Sequence, residues 1–210
     1  MSIARWERRA LADLLAELGP DAPTLCAGWD TRSLAAHLVV RERRPDTTAG
    51  VAVRALAGWT ERVQKQYAQR PYADLVHLVR TGPGRLSPFS LPGVDRIANT
   101  AEYAVHHEDV RRAQPGWEPR ALPAAVQDAL WKVVRGSAPL ALRSLDMGVV
   151  LQRGDSPHSI TVNDAEPSVT IAGVPMEVLL FLFGRRDHAL VEITGDEQAR
   201  AELQATLLKA

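Results

Sequence analysis

The sequence predicts an α+β protein in which a four-helix bundle precedes a small mixed domain. Three observations carry this. Apolar residues recur at helical spacing through the first two thirds of the chain. After about residue 143 the pattern changes to short β-branched runs, MGVVLQ, SITVND and SVTIAG, separated by turn residues. The stretches between helical segments are short to medium in length, as connections in a bundle are. The expected division is residues 1–142 for the bundle and 143–210 for the small domain, with the boundary in the stretch 139–147.

Each element has its own signal. In ARWERRALADLLAELG, Trp6, Leu11, Leu14, Leu15 and Leu18 share one helix face. The turn GPDAPTLCAGWD follows, rich in Gly and Pro. Asp30 or Thr31 suits the cap of a second helix, TRSLAAHLVVRERR, and Pro45 stands just past its end. Residues 50–80 continue the helical pattern with a break near Arg70-Pro71. TGPGRLSPFSLPG, residues 81–93, is a loop by composition and is expected to influence substrate choice. Residues 94–113 form a long helix candidate ended by QPGWEP. A further helix over 121–138 has Pro123 in its first turn and Ala125, Val126, Ala129, Leu130 and Val133 as its expected buried set. In the small domain, PMEVLLFLFG reads as a buried helix, ALVEITG as a strand and DEQARAELQATLLKA as a final helix.

Composition narrows the class of function. Lys plus Arg and Asp plus Glu are 25 each, so the formal net charge is zero. Nothing global steers the chain toward nucleic acid or an anionic membrane, and neither partner is expected. The single cysteine, Cys26, excludes an intramolecular disulfide and a Cys-rich zinc module. MSIARWERRALADLL mixes charges into its apolar positions and lacks the apolar core of a signal peptide. The longest apolar stretch, VLLFLF, is too short to cross a bilayer. The expected setting is the cytoplasm; a homodimer is compatible with the sequence and not specified by it.

The chemistry-bearing stretch is AEYAVHHEDVRRA, residues 101–113. Glu102 and His106 lie about 40° apart on one helix face, and Asp109 falls within about 20° of Glu102. Val94, Ala98, Ala101 and Val105 flank that side, so the polar pair borders the inward stripe. His107 points about 100° away from His106, so only one of the two histidines can join Glu102. On the second helix, His37 sits between Leu34 and Leu38, on another inward stripe. One carboxylate and two histidines make an N2O set of the kind that holds zinc or a similar metal with a position left open. Spacing alone leaves two other readings standing: a hydrogen-bonded core histidine at position 37, and a solvated i, i+4 pair at 102 and 106.

LCAGWDTRSLAAHLVVRERRP resembles the Gly-Trp-x-x-x-x-Leu-x-x-His segment of the DinB/YfiT-like metalloprotein superfamily. It is closest to the actinobacterial branch that includes the mycothiol-dependent maleylpyruvate isomerases. EYAVHHEDVRRAQPGWEP is similar to that branch's Glu-x-x-x-His segment, followed three residues later by Asp. VTIAGVPMEVLLFLFGRRDHALVEITGD resembles the small α+β domain that the branch appends to its DinB-like bundle. The resemblance spans nearly the whole chain, and its nearest members are known only as metal-binding proteins.

The resemblance implies metal ligands at His37, Glu102 and His106. It implies a divalent metal, zinc foremost, with nickel, iron or manganese also suited to an N2O set. It further implies mycothiol as thiol cofactor and a mycothiol-dependent isomerase or S-transferase acting on a small electrophilic substrate. The alternatives are a non-catalytic metal- or small-molecule-binding scaffold and a metal-free structural domain.

The remaining candidates have paired readings. Asp109 is either an acceptor that orients His106 or an exposed helix-end carboxylate. Cys26 is expected to be a small buried apolar residue and not a nucleophile. Trp29 is expected to pack against the bundle at the start of the second helix and not against a ligand. Arg185, with Arg186 at the end of the apolar helix, suits a carboxylate on substrate or thiol; it also suits a helix C-terminus simply by its charge. His107 is expected at the surface or the rim of the site, and His77, His158 and His188 at the surface.

Overall fold

The computed structural model describes residues 2–44, 46–47, 57–84 and 94–207, with the side chains of residues 57, 94–98, 206 and 207 outside that description. Pro45, the helical pattern over 50–56 and most of the 81–93 loop lie outside the described residues. The chain divides into two compact units, residues 1–120 and 121–210. Among the described residues there are eight α-helices and one four-stranded sheet, a mixed helix-and-sheet protein.

The first unit holds α1 (Ile3–Leu18), α2 (Thr31–Arg43), α3 (Ala57–Ala68), α4 (Tyr72–Thr81) and α5 (Val94–Arg112). Side chains set several of these ends. Ser2 accepts from Arg5 N to start α1, and the Asp30 carboxylate accepts from Ser33 N at 2.7 Å to start α2. Gly19, at φ 80°, ends α1 in a conformation that side-chain-bearing residues rarely adopt. The break at Arg70-Pro71 separates α3 from α4, since Pro71 offers no amide proton to continue a helix.

Helix α1 packs on α5 and α4, while α2 packs on α3 and α4. Leu11, Leu15, Leu34, Leu38, Leu75, Val79, Tyr103 and Val110 meet in the core. A buried ion pair, Arg8 to Glu42 at 2.6 Å, ties α1 to α2.

The second unit holds α6 (Ala124–Ala141), β1 (Gly148–Arg153), β2 (Ser159–Asn163), β3 (Ser168–Gly173), α7 (Pro175–Leu182), a 3-10 turn (Arg186–His188), β4 (Glu192–Gly195) and α8 (Glu197–Leu207). The sheet order is β2-β1-β3-β4. Strand β1 runs antiparallel to β2 and parallel to β3, and β3 runs antiparallel to β4. Every residue of α7 is buried, in keeping with an apolar run that only Glu177 interrupts. It packs between α6 and β3, and the Glu177 carboxylate accepts from Leu190 N at 2.8 Å.

Helix α6 belongs to the second unit. Its packing partner there is α7. The buried face also differs from the expected set. Val126, Leu130 and Val133 are buried with Trp131, Val134 and Ala138, but Ala125 is exposed and Ala129 only half-buried. Gln127 takes an inward place because its amide oxygen accepts from Met176 N at 3.1 Å. Among the described residues no helix is long and apolar enough to cross a membrane.

Candidate metal centre

Two helices supply the site. On α2, Leu34, Ala35, Ala36, Leu38 and Val39 are buried, which leaves His37 at the edge of the packed stripe with 28% of its side chain exposed. On α5, Tyr103, Ala104, Val105 and Val110 are buried, and Glu102 and His106 lie one turn apart beside them. Three donor atoms converge. His37 Nε2 lies 3.1 Å from Glu102 Oε1, and His106 Nε2 lies 3.4 Å from the same oxygen. The three donors lie within 4.8 Å of one another.

These separations fit a shared cation. Ligand atoms about 2.1 Å from a tetrahedral ion lie about 3.4 Å apart. A carboxylate with two neutral imidazoles also offers a borderline-hard set suited to zinc and its neighbours. His37, Glu102 and His106 are therefore the residues that could hold a divalent metal through Nε2, Oε1 and Nε2.

A second layer fixes these groups. Asp109 is fully buried, and its Oδ2 lies 2.8 Å from His106 Nδ1. The Cys26 thiol donates to the same oxygen at 3.2 Å, and Leu25 N donates to the Asp109 carbonyl at 3.0 Å. Cys26 is thus partly buried and polar in its contacts, where the sequence suggested an inert apolar filler. Cys26, His106 and Asp109 form a second donor cluster sharing His106.

Trp29 reaches the same place. Gly28, at φ 74°, turns the loop, and the Trp29 ring packs against the His37 ring with centroids 4.9 Å apart.

Charge at the site is arranged around Glu102. Burial alone would raise its pKa, but hydrogen bonds with His106 and His37, and the nearby Arg41, hold it well below the usual carboxylate range. For His106 burial opposes the charged form, yet Asp109, Cys26 and Glu102 raise its pKa well above the usual imidazole range. Arg41 Nε lies 3.4 Å from Glu102 Oε1, and Arg41 Nη1 donates to Asn99 Oδ1 at 2.6 Å. Sequence reasoning missed Arg41 and Asn99. The signal was available, because Arg41 follows His37 by four residues, and Asn99 precedes Glu102 by three.

His107 is corrected by the structure. It is buried, with Nδ1 2.7 Å from Glu7 Oε2. Arg120 pairs in a bidentate manner with Glu7 at 3.0 and 3.1 Å and also reaches Glu108, which takes Arg112 at 2.6 Å. This network joins α1, α5 and the segment after α5, and it accounts for His107 without a metal.

Arg185 lies in the second unit, where its guanidinium donates to the Phe183 carbonyl at 2.6 Å. His77 and His158 are exposed, and His188 is half-buried in the 3-10 turn.

No protein-family model matches the chain, and no curated protein matches it. Solved structures do. The chain is similar to a mycothiol-dependent maleylpyruvate isomerase, with a TM-score of 0.59, and to a variant of that enzyme with one histidine replaced by alanine, with a TM-score of 0.62. Each is 14% identical over 92% of this chain and 91% of the other. The relationship is one of fold.

Proposed function

We propose that this chain is a divalent-metal-binding protein that acts with mycothiol or a similar small thiol on a small electrophilic substrate, by isomerisation or S-transfer. The observation that carries the reading is the convergence of His37 Nε2, Glu102 Oε1 and His106 Nε2 from two helices. The fold likeness to mycothiol-dependent isomerases supports the choice of thiol.

His37, Glu102 and His106 would bind the metal, zinc foremost. Asp109 would keep the His106 Nδ1 proton, so that Nε2 presents its lone pair. When bound, the metal would supply Lewis-acid stabilisation of a thiolate at neutral pH. Arg41 would offset the Glu102 charge and keep the site attractive to an anionic sulfur. The Trp29 ring would screen His37 from water on one side.

The test is cobalt-substituted protein titrated with mycothiol. A sulfur-to-cobalt charge-transfer band that saturates at one thiol per chain is the expected result. An unchanged spectrum at saturating thiol, with metal retained, would leave a metal-binding scaffold instead.

A further inference from the structure

The loop before α2 is fastened to α5 at two points. Leu25 N donates to the Asp109 carbonyl and Gln114 Nε2 donates to the Pro23 carbonyl, each at 3.0 Å. These ties hold Cys26, the single cysteine of the chain, on the Nδ1 side of the His106 ring, away from the nitrogen that faces Glu102. Its Sγ lies 3.2 Å from Asp109 Oδ2 and 3.8 Å from His106 Nδ1, and those two atoms are 2.8 Å apart.

Three donors of different types thus close a triangle. On one tetrahedral ion, sulfur stands about 3.6 Å from a nitrogen or oxygen donor, and nitrogen stands about 3.3 Å from oxygen. Each separation in the triangle falls within about 0.5 Å of those values. Asp109 and His106 are buried and Cys26 is half-buried, so a cation arriving from solvent meets the sulfur first.

This inner set differs from the outer one in charge and softness. His37, Glu102 and His106 Nε2 offer two neutral nitrogens and one anionic oxygen. With the thiol proton released to water, the inner set offers two anionic donors, enough to neutralise a buried dication. One of the two is a polarisable sulfur, which favours soft cations over those suited to nitrogen and oxygen alone.

The two sets also exclude each other, because they share one ring. A neutral imidazole has one N–H and one lone pair. A cation on Nδ1 therefore places the ring proton on Nε2, pointing toward Glu102 Oε1 3.4 Å away. The outer set then lacks its third donor.

We infer that Cys26, Asp109 and His106 Nδ1 form a second metal site, which takes a thiophilic divalent cation and by doing so dismantles the outer set. The displacement rests on the metal-binding reading above. The inner site itself does not.

The experiment is a cadmium titration of the full chain, without added thiol. Because the chain has one cysteine, thiolate-to-cadmium charge-transfer absorption reports Cys26 alone. Wild type is first loaded with cobalt, whose visible bands report the outer set. His37→Ala breaks only the outer set, and His106→Ala breaks both. Cys26→Ser keeps a hydroxyl donor toward Asp109 and removes the sulfur. Circular dichroism shows that each variant is folded.

In His37→Ala the thiolate band should saturate at one cadmium per chain. His106→Ala should bind cadmium about tenfold or more weakly than His37→Ala. In cobalt-loaded wild type the cobalt bands should vanish in step with the growth of the thiolate band. Cys26→Ser should keep its cobalt at the cadmium concentration that strips the wild type. Absence of the thiolate band in folded His37→Ala would overturn the proposal, as would equal cadmium affinity in His106→Ala. A thiolate band that grows beside an undiminished cobalt spectrum would overturn the exclusion. A wild type that gives the thiolate band but takes up no cobalt would sustain the inner site and remove the outer metal reading instead.

Discussion

Asp109 Oδ2 lies 2.8 Å from His106 Nδ1, on the side of the ring opposite the nitrogen that faces Glu102. An ionised carboxylate can only accept, so this contact holds a proton on Nδ1, and a cation that displaces the Nε2 proton finds that nitrogen facing Glu102. Removing such a partner usually weakens metal affinity by about 10- to 100-fold. Asp109→Ala is predicted to do so while retaining one metal per chain at saturation, as read by competition with a chromophoric chelator. Unchanged affinity in a folded variant would show that Asp109 serves packing alone.

Arg41 sits 3.4 Å from the Glu102 oxygen that both histidines also face. Its charge competes with a bound cation for that oxygen. Arg41→Gln keeps a donor near Asn99 and removes the charge. Divalent-metal affinity should rise by up to about tenfold, about 1.4 kcal/mol, and thiol affinity of the metal-loaded protein should fall. Calorimetric titrations of both ligands check the opposite signs; a fall in both would refute the charge argument.

Arg120 is the hub of the buried network on the far side of α5, holding Glu7 and Glu108. Both carboxylates are fully buried. Breaking a buried pair by removing one partner costs about 3–5 kcal/mol, because the remaining charge stays desolvated. Arg120→Ala should therefore lower the unfolding free energy, read by denaturant titration, by that amount without changing metal stoichiometry. A loss below about 1 kcal/mol would mean that water reaches the site.

Glu108 gives the pH dependence its sign. Burial acts to raise its pKa, but Arg120, Arg112 and Arg111 outweigh it and hold the pKa below the ordinary glutamate value. A depressed folded-state pKa contributes stability that is fully present above the unfolded value and is lost as pH falls through the folded one. Unfolding free energy should thus decline from about pH 4.5 downward, and the decline should be shallower in Glu108→Gln. Parallel curves for the two proteins would remove Glu108 from the account.

Much of the fold was legible because periodicity reports burial. Short β-branched runs in MGVVLQ and SVTIAG located β1 and β3, and the apolar stretch after Pro175, which only Glu177 interrupts, located α7. The same arithmetic on α2 and α5 singled out His37, Glu102 and His106, whose donor atoms the structure brings together.

What the sequence hid depends on partners distant in the chain. His107 is buried because Glu7, 100 positions earlier, meets it. Cys26 is polar in its contacts because Asp109 stands 83 positions later. Gln127 faces inward because a backbone amide on α7 needs its oxygen. No local pattern encodes such pairings, since each requires the packing of two elements to be known first.

His37, Glu102 and His106 are proposed to bind one divalent metal. The most direct measurement is elemental analysis of protein purified without chelator, wild type beside His37→Ala, with both shown to be folded by circular dichroism. About one metal ion per chain is expected in the wild type, and its loss in the variant. A wild type that binds no divalent metal after reconstitution, or a variant that keeps its full complement, would contradict it.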